Sequence, residues 1–153
     1  MKQSNFFGQA APRGPFAIVA NIDGGARGNP GPAAYGVVIR NAQGQVLAEW
    51  GEHLGVQTNN VAEYSGLVAA LEYAAREKYP SLRVLSDSEL LVRQVRGEYK
   101  VKNPALKELY DRAQALARKL QKFSIEHVLR ERNKEADRLV NQALDRRERG
   151  RQT

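Results

Sequence analysis

The chain has 153 residues, of which 42% are hydrophobic and 27% are charged, and its formal net charge is +7. This length and balance predict one globular domain with its own core, and the absence of cysteine excludes disulfides, thiolate zinc sites and a cysteine nucleophile. The sequence pI of about 9.9 favours a polyanionic partner, most commonly nucleic acid. No apolar run approaches the ~20 residues of a membrane span. We therefore expect no membrane contact, and the absence of cysteine fits a cytoplasmic location.

Three consecutive strands are predicted in the first third of the chain. Residues 1–15 contain glycine and proline without a period and are interpreted as a flexible arm. Residues 16–23 alternate apolar and other side chains, which indicates a strand that closes at Asp23. A glycine–proline turn leads to a second strand at 33–40, and a hairpin turn joins it to a third strand at 45–54.

Helices alternate with two more strands in the rest of the chain. Helical spacing begins after Thr58–Asn60, and a strand at 81–87 is followed by a short helix that Ser86 or Ser88 could cap. Pro104 is typical of the first turn of a third, longer helix. A strand then covers residues 123–132.

The last helix of the chain is predicted to begin at a cap on Asn133. Residues 146–153 are interpreted as a frayed basic tail, which leaves residues 16–145 as the domain. The resulting order βββαβααβα predicts an α/β fold with a mixed five-stranded sheet, in which three antiparallel strands and two further strands are flanked by helices.

Four acidic residues mark the ends of predicted elements: Asp23, Glu63, Asp87 and Asp137. If the two strands that end in an acid are neighbours, both carboxylates emerge at one edge of the sheet. The other two acids are placed in first helical turns, where partial positive charge offsets repulsion between carboxylates. Hard oxygen ligands suit Mg²⁺ or Mn²⁺, and a pair of such ions supports in-line attack at phosphorus. Each acid alone could be only a turn, cap or helix-start residue, so the hypothesis requires all four to meet.

Four segments, in order, resemble the signatures of type 1 ribonucleases H. They are DGGARGNPGPAAYGVV at 23–38, TNNVAEYSGLVAAL at 58–71, SDSELLVRQV at 86–95 and NKEADRLVNQA at 133–143. The resemblance spans about residues 16–145 and implies that family's mixed five-stranded sheet. It also implies cleavage of the RNA strand of RNA–DNA hybrids with two Mg²⁺ or Mn²⁺ ions, leaving 3′-hydroxyl and 5′-phosphate ends. The four acids would be the catalytic residues and metal ligands, with Asp23 bridging both ions.

The same resemblance implies residues that bind the substrate. Asn29, Asn59 and Asn60 match family residues that contact the minor groove and RNA 2′-hydroxyl groups. An amide side chain both donates and accepts hydrogen bonds, as a 2′-hydroxyl group does. Thr58 is expected to bind a DNA phosphate, with Asn103 as a further partner. Plain helix capping is the alternative role for Asn59 and Asn60.

The chain departs from many family members between its last strand and last helix. Those members carry a histidine in a flexible loop, whereas the segment here is short. His127 has the parity of the buried strand face and is interpreted as a packed residue. Arg130 or Arg132 could instead meet the scissile phosphate, and Arg130 is favoured because it lies nearer the strand end, on the face opposite His127.

A second departure is the loop at 97–104, which replaces a basic protrusion that carries tryptophan in many members. A few compact forms of this kind also cut double-stranded RNA, so that activity stays open as an alternative. A nucleic-acid-binding module without catalysis is the other alternative, although four carboxylates facing a phosphate backbone disfavour it. Glu89 is interpreted as a helix charge rather than a fifth ligand, and a monomer is expected.

Overall fold

The computed structural model describes residues 15–152, so the predicted arm lies outside the described residues except for Pro15. The five strands are β1 (Ile18–Ala26), β2 (Gly31–Asn41), β3 (Val46–Gln57), β4 (Ser81–Ser86) and β5 (Lys122–His127). They lie in the order β3-β2-β1-β4-β5. The first three are antiparallel, and β4 and β5 run parallel to β1. This topology confirms the predicted mixed sheet.

Four helices flank the sheet: α1 (Asn59–Arg76), α2 (Glu89–Val95), α3 (Pro104–Ala117) and α4 (Lys134–Gln152). Side-chain caps begin three of them, because each accepts hydrogen bonds from backbone N–H groups that the helix leaves unpaired. Thr58 Oγ1 accepts from Val61 N and opens α1, and Ser88 Oγ opens α2. Asn103 Oδ1 opens α3. These local signals explain why the helices begin where they do.

The two faces of the sheet bury different helices. The larger core lies between the sheet and α1, α2 and α3, and includes Ile22, Leu67 and Leu71. On the opposite face, a smaller cluster joins Ala34 of β2 to Val140, Ala143 and Leu144 of α4. Helices α1 and α4 therefore cover opposite faces of the sheet. Segments that are far apart in the sequence can meet where the two helices approach the same edge.

Two paired glycines let α4 lie directly on the sheet. Gly36 of β2 pairs with Gly51 of β3 and, on its other side, with Asp23 of β1. A Cβ atom on Gly36 would stand 2.5 Å from the Ala136 carbonyl oxygen, and one on Gly51 would stand 2.5 Å from the Leu139 carbonyl oxygen. Residues paired across strands share a face, so the helix backbone rests beside Asp23.

Two predicted element boundaries near the acids are wrong. Strand β1 does not end at Asp23, because Gly24–Ala26 continue to pair with β2. Glu63 does not lie in a first helical turn, because Thr58 caps α1 and the helix begins at Asn59, which leaves no acid in that turn. Glu63 therefore owes its position to packing rather than to the helix terminus.

Helix α4 runs on through the segment predicted to be a frayed tail, as far as Gln152. The Arg27 guanidinium explains part of this extension. It donates to Asp145 Oδ1 at 2.8 Å and to Glu148 Oε1 at 2.8 Å, which ties the turn after β1 to the last turns of the helix.

The burial predicted for His127 is wrong, because the residue is exposed. It is the last residue of β5, and its neighbours from α2 leave an open cavity of about 220 Å³ that includes Arg93 and Arg96. Strand parity assigns a face but does not show how far the covering helix extends. Within residues 15–152, no helix is both long and apolar enough to cross a membrane.

Candidate active site

Strand pairing places Asp23 and Asp87 side by side. Ile22 of β1 pairs with Ser86 of β4 in the parallel direction, and each strand continues into one of the two acids. Strand β4 ends at Ser86 while β1 continues along β2. The sheet therefore opens beside Asp23, and this opening is where the predicted neighbouring carboxylates emerge.

Close packing of α1 on β1 brings Glu63 to the same opening. A Cβ atom on Gly24 would stand 2.4 Å from the backbone nitrogen of Glu63, so only glycine permits this approach. The Ser88 hydroxyl, at the start of α2, hydrogen-bonds the Glu63 carboxylate. Glu63 thus reaches the cleft from the second turn of its helix.

A buried asparagine fixes the start of α4 and hence Asp137. Asn133 is 1% exposed. Its Nδ2 group donates to the Ile22 carbonyl oxygen at 2.8 Å, and its Oδ1 accepts from Asn21 Nδ2 at 3.0 Å. Helix α4 begins directly after Asn133, as predicted, but the side-chain amide of Asn133 is bonded to β1. Asp137 then lies in the first turn of α4, as predicted.

The four acids line one open cleft of about 320 Å³. The remaining polar side chains that line it are Arg27, Asn59, Arg130 and Asn141. Within the described part of the chain, no group of three or more acidic or histidine side chains is close enough together to hold a metal ion as the side chains stand. The structure therefore brings the four acids together as walls of one cleft rather than as a closed cage.

Two of the carboxyl groups hold their protons unusually well. Burial raises the pKa of Asp23 to about 8, and the charges of Asp87 and Asp137, together with a hydrogen bond to Asp137, act in the same direction. Burial also raises the pKa of Glu63 to about 7, reinforced by the charge of Asp87 and opposed by the hydrogen bond from Ser88. These carboxyl groups therefore carry protons near neutral pH that a cation could replace.

The donor chemistry of the cleft fits a hard divalent cation. All four acids offer carboxylate oxygens, and neither sulfur nor imidazole lines the cleft. Oxygen-only donor sets suit Mg²⁺ and Mn²⁺ better than softer metals. Burial first, and then repulsion from neighbouring carboxylates, raises the pKa values of Asp23 and Glu63, and a bound cation would offset that repulsion.

Asparagine side chains connect the turn after β1 to the start of α1. Asn29 Oδ1 accepts from the Asn59 backbone nitrogen at 3.0 Å, and Asn59 Oδ1 accepts from Ala26 N at 2.8 Å. Both amide oxygens are used within the protein, so the Nδ2 groups are the donors that a ligand could use. Asn59 lines the cleft, whereas Asn60 and the helix cap Thr58 stand beside it in sequence but do not line it.

Of the other two predicted substrate contacts, Arg130 lies at the cleft and Asn103 does not. Arg130, in the short 3-10 turn at Arg130–Arg132, lines the acidic cleft. Arg132 instead lines a different cavity with Arg40 and Glu135, which agrees with the preference for Arg130. Asn103 is not brought to the cleft. Its Oδ1 accepts from the first backbone N–H groups of α3.

Sequence reasoning missed several residues that build the cleft. Arg27 and Asn141 line it, and Ser88 was recognised only as a helix cap although it also holds Glu63. The sequence did contain one sign of a basic partner for α4: Asp145 and Glu148 are three residues apart and share a helix face. Their partner Arg27 is more than one hundred residues away in the chain, and no local pattern could identify it.

Comparison with known proteins agrees with this geometry. The family model described as reverse transcriptase-like matches residues 21–143. Ribonuclease HI of Halobacterium salinarum is 43% identical over 128 residues, which make up 84% of this chain and 64% of that protein. The crystal structure of RNase H1 from that archaeon superposes with a TM-score of 0.81 at 42% identity, covering 84% of this chain and 97% of the other.

The chain belongs to the type 1 ribonuclease H family. The bifunctional protein Rv2228c of Mycobacterium tuberculosis is 50% identical over 129 residues, and the matched ribonuclease H region is 84% of this chain but only 35% of that protein. The structure of its N-terminal RNase H domain gives a TM-score of 0.84 at 47% identity, covering 88% of this chain and 98% of the other. LC11-RNase H1, solved in complex with an RNA/DNA hybrid, gives a TM-score of 0.80 at 43% identity, covering 84% and 97%.

Proposed function

We propose that this chain is an endoribonuclease that hydrolyses the RNA strand of RNA–DNA hybrids and leaves 3′-hydroxyl and 5′-phosphate ends. The observation that carries the proposal is the meeting of four acids, from four different elements, in one cleft. The similar LC11-RNase H1 was solved with an RNA/DNA hybrid, which supports a hybrid as the substrate of this chain.

We propose Asp23, Glu63, Asp87 and Asp137 as the residues that would hold two Mg²⁺ or Mn²⁺ ions. When bound, the ions would supply an activated water and stabilise the leaving oxygen. The protein contributes the positions of the carboxylates, because Asn133 fixes α4 to β1 and Gly24 admits α1. Loss of protons from the half-buried Asp23 and Glu63 prepares their oxygens for the cations.

The substrate would lie across the cleft, between the four acids and the asparagine side chains at the start of α1. The Nδ2 groups of Asn29 and Asn59 suit the 2′-hydroxyl groups of the RNA strand, and Asn60 adjoins them. Arg130 lines the same cleft, and its guanidinium can hold the scissile phosphate by charge-assisted hydrogen bonds. We propose that Thr58 and Asn103, which each begin a helix, contact phosphates of the DNA strand.

A substrate comparison tests this proposal. Labelled hybrid, duplex RNA and duplex DNA are incubated with the protein in Mg²⁺ or Mn²⁺, with EDTA as the control. We expect cuts only in the RNA strand of the hybrid, and fragments whose 3′ ends a polymerase can extend. Equal cleavage of duplex RNA would favour the wider substrate range as the alternative. Binding without cleavage in either metal would contradict the proposal and favour a binding module.

Two further properties belong to the same proposal. We propose that the chain acts as a monomer, because all four acids of the cleft come from one copy. We also propose action in the cytoplasm, since the absence of cysteine fits a reducing compartment. Gel filtration with light scattering tests the first, and imaging of the tagged full-length protein in its own cells tests the second.

A further inference from the structure

A row of basic side chains runs along the solvent face of α4. Arg138, Gln142, Arg146 and Arg149 are spaced i, i+4, i+8 and i+11, so they share one side of the helix. All four are exposed. We call these four residues the basic stripe. It carries three positive charges and no acid.

The acids nearest the stripe are occupied elsewhere. Arg27 binds Asp145 and Glu148 through contacts of 2.8 Å each. The remaining ion pair of the stripe, from Arg138 to Glu49 of β3, is long at 3.8 Å. Exposed pairs of such length contribute little, so the stripe keeps an excess of positive charge.

Helix stability alone does not account for this charge. Cations are favourable in the last turn of a helix, where Arg149 lies, but unfavourable in its first turn. Arg138 is the fifth residue of α4, immediately after Asp137. The helix dipole therefore accounts for neither Arg138 nor Arg146, which lie outside the first and last turns.

The stripe begins at Arg138, the residue directly after Asp137 of the acidic cleft. Asn141, one turn after Asp137 on the same helix, lines the cleft. A helix rises 1.5 Å per residue, so Arg149 lies about 18 Å along the axis from Asp137. Phosphates of one nucleic acid strand follow one another at about 3.4 Å along a duplex. The stripe could therefore follow roughly five nucleotides that lead away from the cleft.

We propose that the basic stripe binds the phosphate backbone of the hybrid beyond the cleavage site, up to about five base pairs from the scissile bond. This inference rests on the proposed function, because the hybrid is the polyanion that the cleft would hold. Three arginines on one rigid helix provide phosphate contacts without reading bases. The stripe thus lengthens the contact with the substrate and adds no sequence preference.

The test compares two variants of equal charge. The stripe variant carries R138Q, R146Q and R149Q. The matched control carries K78Q, R118Q and K119Q, at exposed positions after α1 and after α3. Each set lowers the net charge from +7 by three, and both sets include cations near a helix C-terminus. Fluorescence anisotropy in EDTA then gives the dissociation constant of an 18-base-pair hybrid over a series of salt concentrations, independently of cleavage.

We expect the stripe variant to bind the hybrid roughly tenfold more weakly near 0.1 M salt. In a plot of the logarithm of the association constant against the logarithm of the salt concentration, the slope should become less steep by about 2–3. Each lost phosphate contact removes about 0.7–0.9 from its magnitude. The control should change the slope by less than about 1. Circular dichroism should show both variants folded as the unmodified protein is.

The outcomes separate this inference from the proposed function. If the unmodified protein cleaves the hybrid but the stripe variant and the control bind with the same slope, the stripe inference is overturned and the function stands. If the stripe variant alone loses slope while the unmodified protein cleaves no hybrid, the phosphate contact is supported and the nuclease proposal fails.

Discussion

Asp23→Asn is expected to lower hybrid cleavage by about 10³-fold or more while the protein remains folded. Asp23 is the acid with the largest pKa shift in the cleft, and its neighbours Asp87 and Asp137 contribute to that shift. Asparagine keeps the size of the side chain and can still donate a hydrogen bond to Asp137, but it removes one ligand charge. Steady-state cleavage of a labelled hybrid, with circular dichroism on the same samples, measures both effects.

The same variant should be more stable than the unmodified protein in EDTA at pH 8. The pKa of Asp23 is about 8 in the folded protein and 3.8 as the ordinary value. A carboxyl group with a raised folded-state pKa contributes stability below its unfolded pKa, and that contribution disappears as the pH rises towards 8. Because water in the open cleft screens part of the repulsion, we expect Asp23→Asn to gain about 2–3 kcal/mol at pH 8 and little at pH 4.

Glu89→Gln is the matched control for this prediction. Glu89 lies two residues after Asp87 but pairs with Arg93 at 2.9 Å and does not line the acidic cleft. Its replacement should leave cleavage within about twofold and should not change the pH dependence of unfolding beyond the few tenths of a kcal/mol typical of an exposed pair. Equal activity losses for the two variants would contradict the special role of the cleft.

Gly24→Ala is expected to lower the free energy of unfolding by about 3 kcal/mol. The added Cβ atom would stand 2.4 Å from the carbonyl carbon of Ala62 and from the nitrogen of Glu63. Both are backbone atoms, which cannot rotate away as a side chain can, so α1 must shift. Since Glu63 lies at this contact, hybrid cleavage should fall together with stability. Urea unfolding and the cleavage assay measure the two losses.

The adjacent glycine provides the control for Gly24→Ala. A Cβ atom on Gly25 would meet no atom within 4 Å, so Gly25→Ala should change the free energy of unfolding by no more than about 0.5 kcal/mol. The two substitutions alter the unfolded chain in the same way, which leaves the folded contact as the difference between them. Equal stability of the two variants would show that α1 does not rest directly on β1 at Gly24.

Local sequence patterns predicted the elements of this fold well. Alternation in 16–23 and helical spacing after Thr58 indicated the first strand and the first helix, and the order of elements implied the mixed sheet that the structure confirms. Parallel strands that are neighbours end at one edge of a sheet, so Asp23 and Asp87 were expected together only on condition that β1 and β4 pair, as they do. These properties depend on periodicity and chain order, which a single sequence contains.

Contacts between distant segments were not predictable in the same way. Asn133 has the sequence position of a cap, but its amide is bonded to Ile22 and Asn21, more than one hundred residues earlier. His127 has the parity of a buried strand residue, but the helix that would cover it leaves a cavity. Glycine indicated a turn after Asp23, whereas Gly24 instead extends β1 and admits α1. In each case, tertiary packing decides between local alternatives.

The most direct test of the shared cleft is calorimetric titration of the metal-free protein with Mn²⁺ at pH 7, in two buffers of different protonation enthalpy. Asp23, with a pKa of about 8, and Glu63, with a pKa of about 7, both hold protons at this pH that a bound cation would displace. We predict binding with release of about one proton per chain at pH 7, and almost none at pH 9. Absence of binding heat, or binding that releases no proton at pH 7, would contradict a metal site built from these half-buried carboxyl groups.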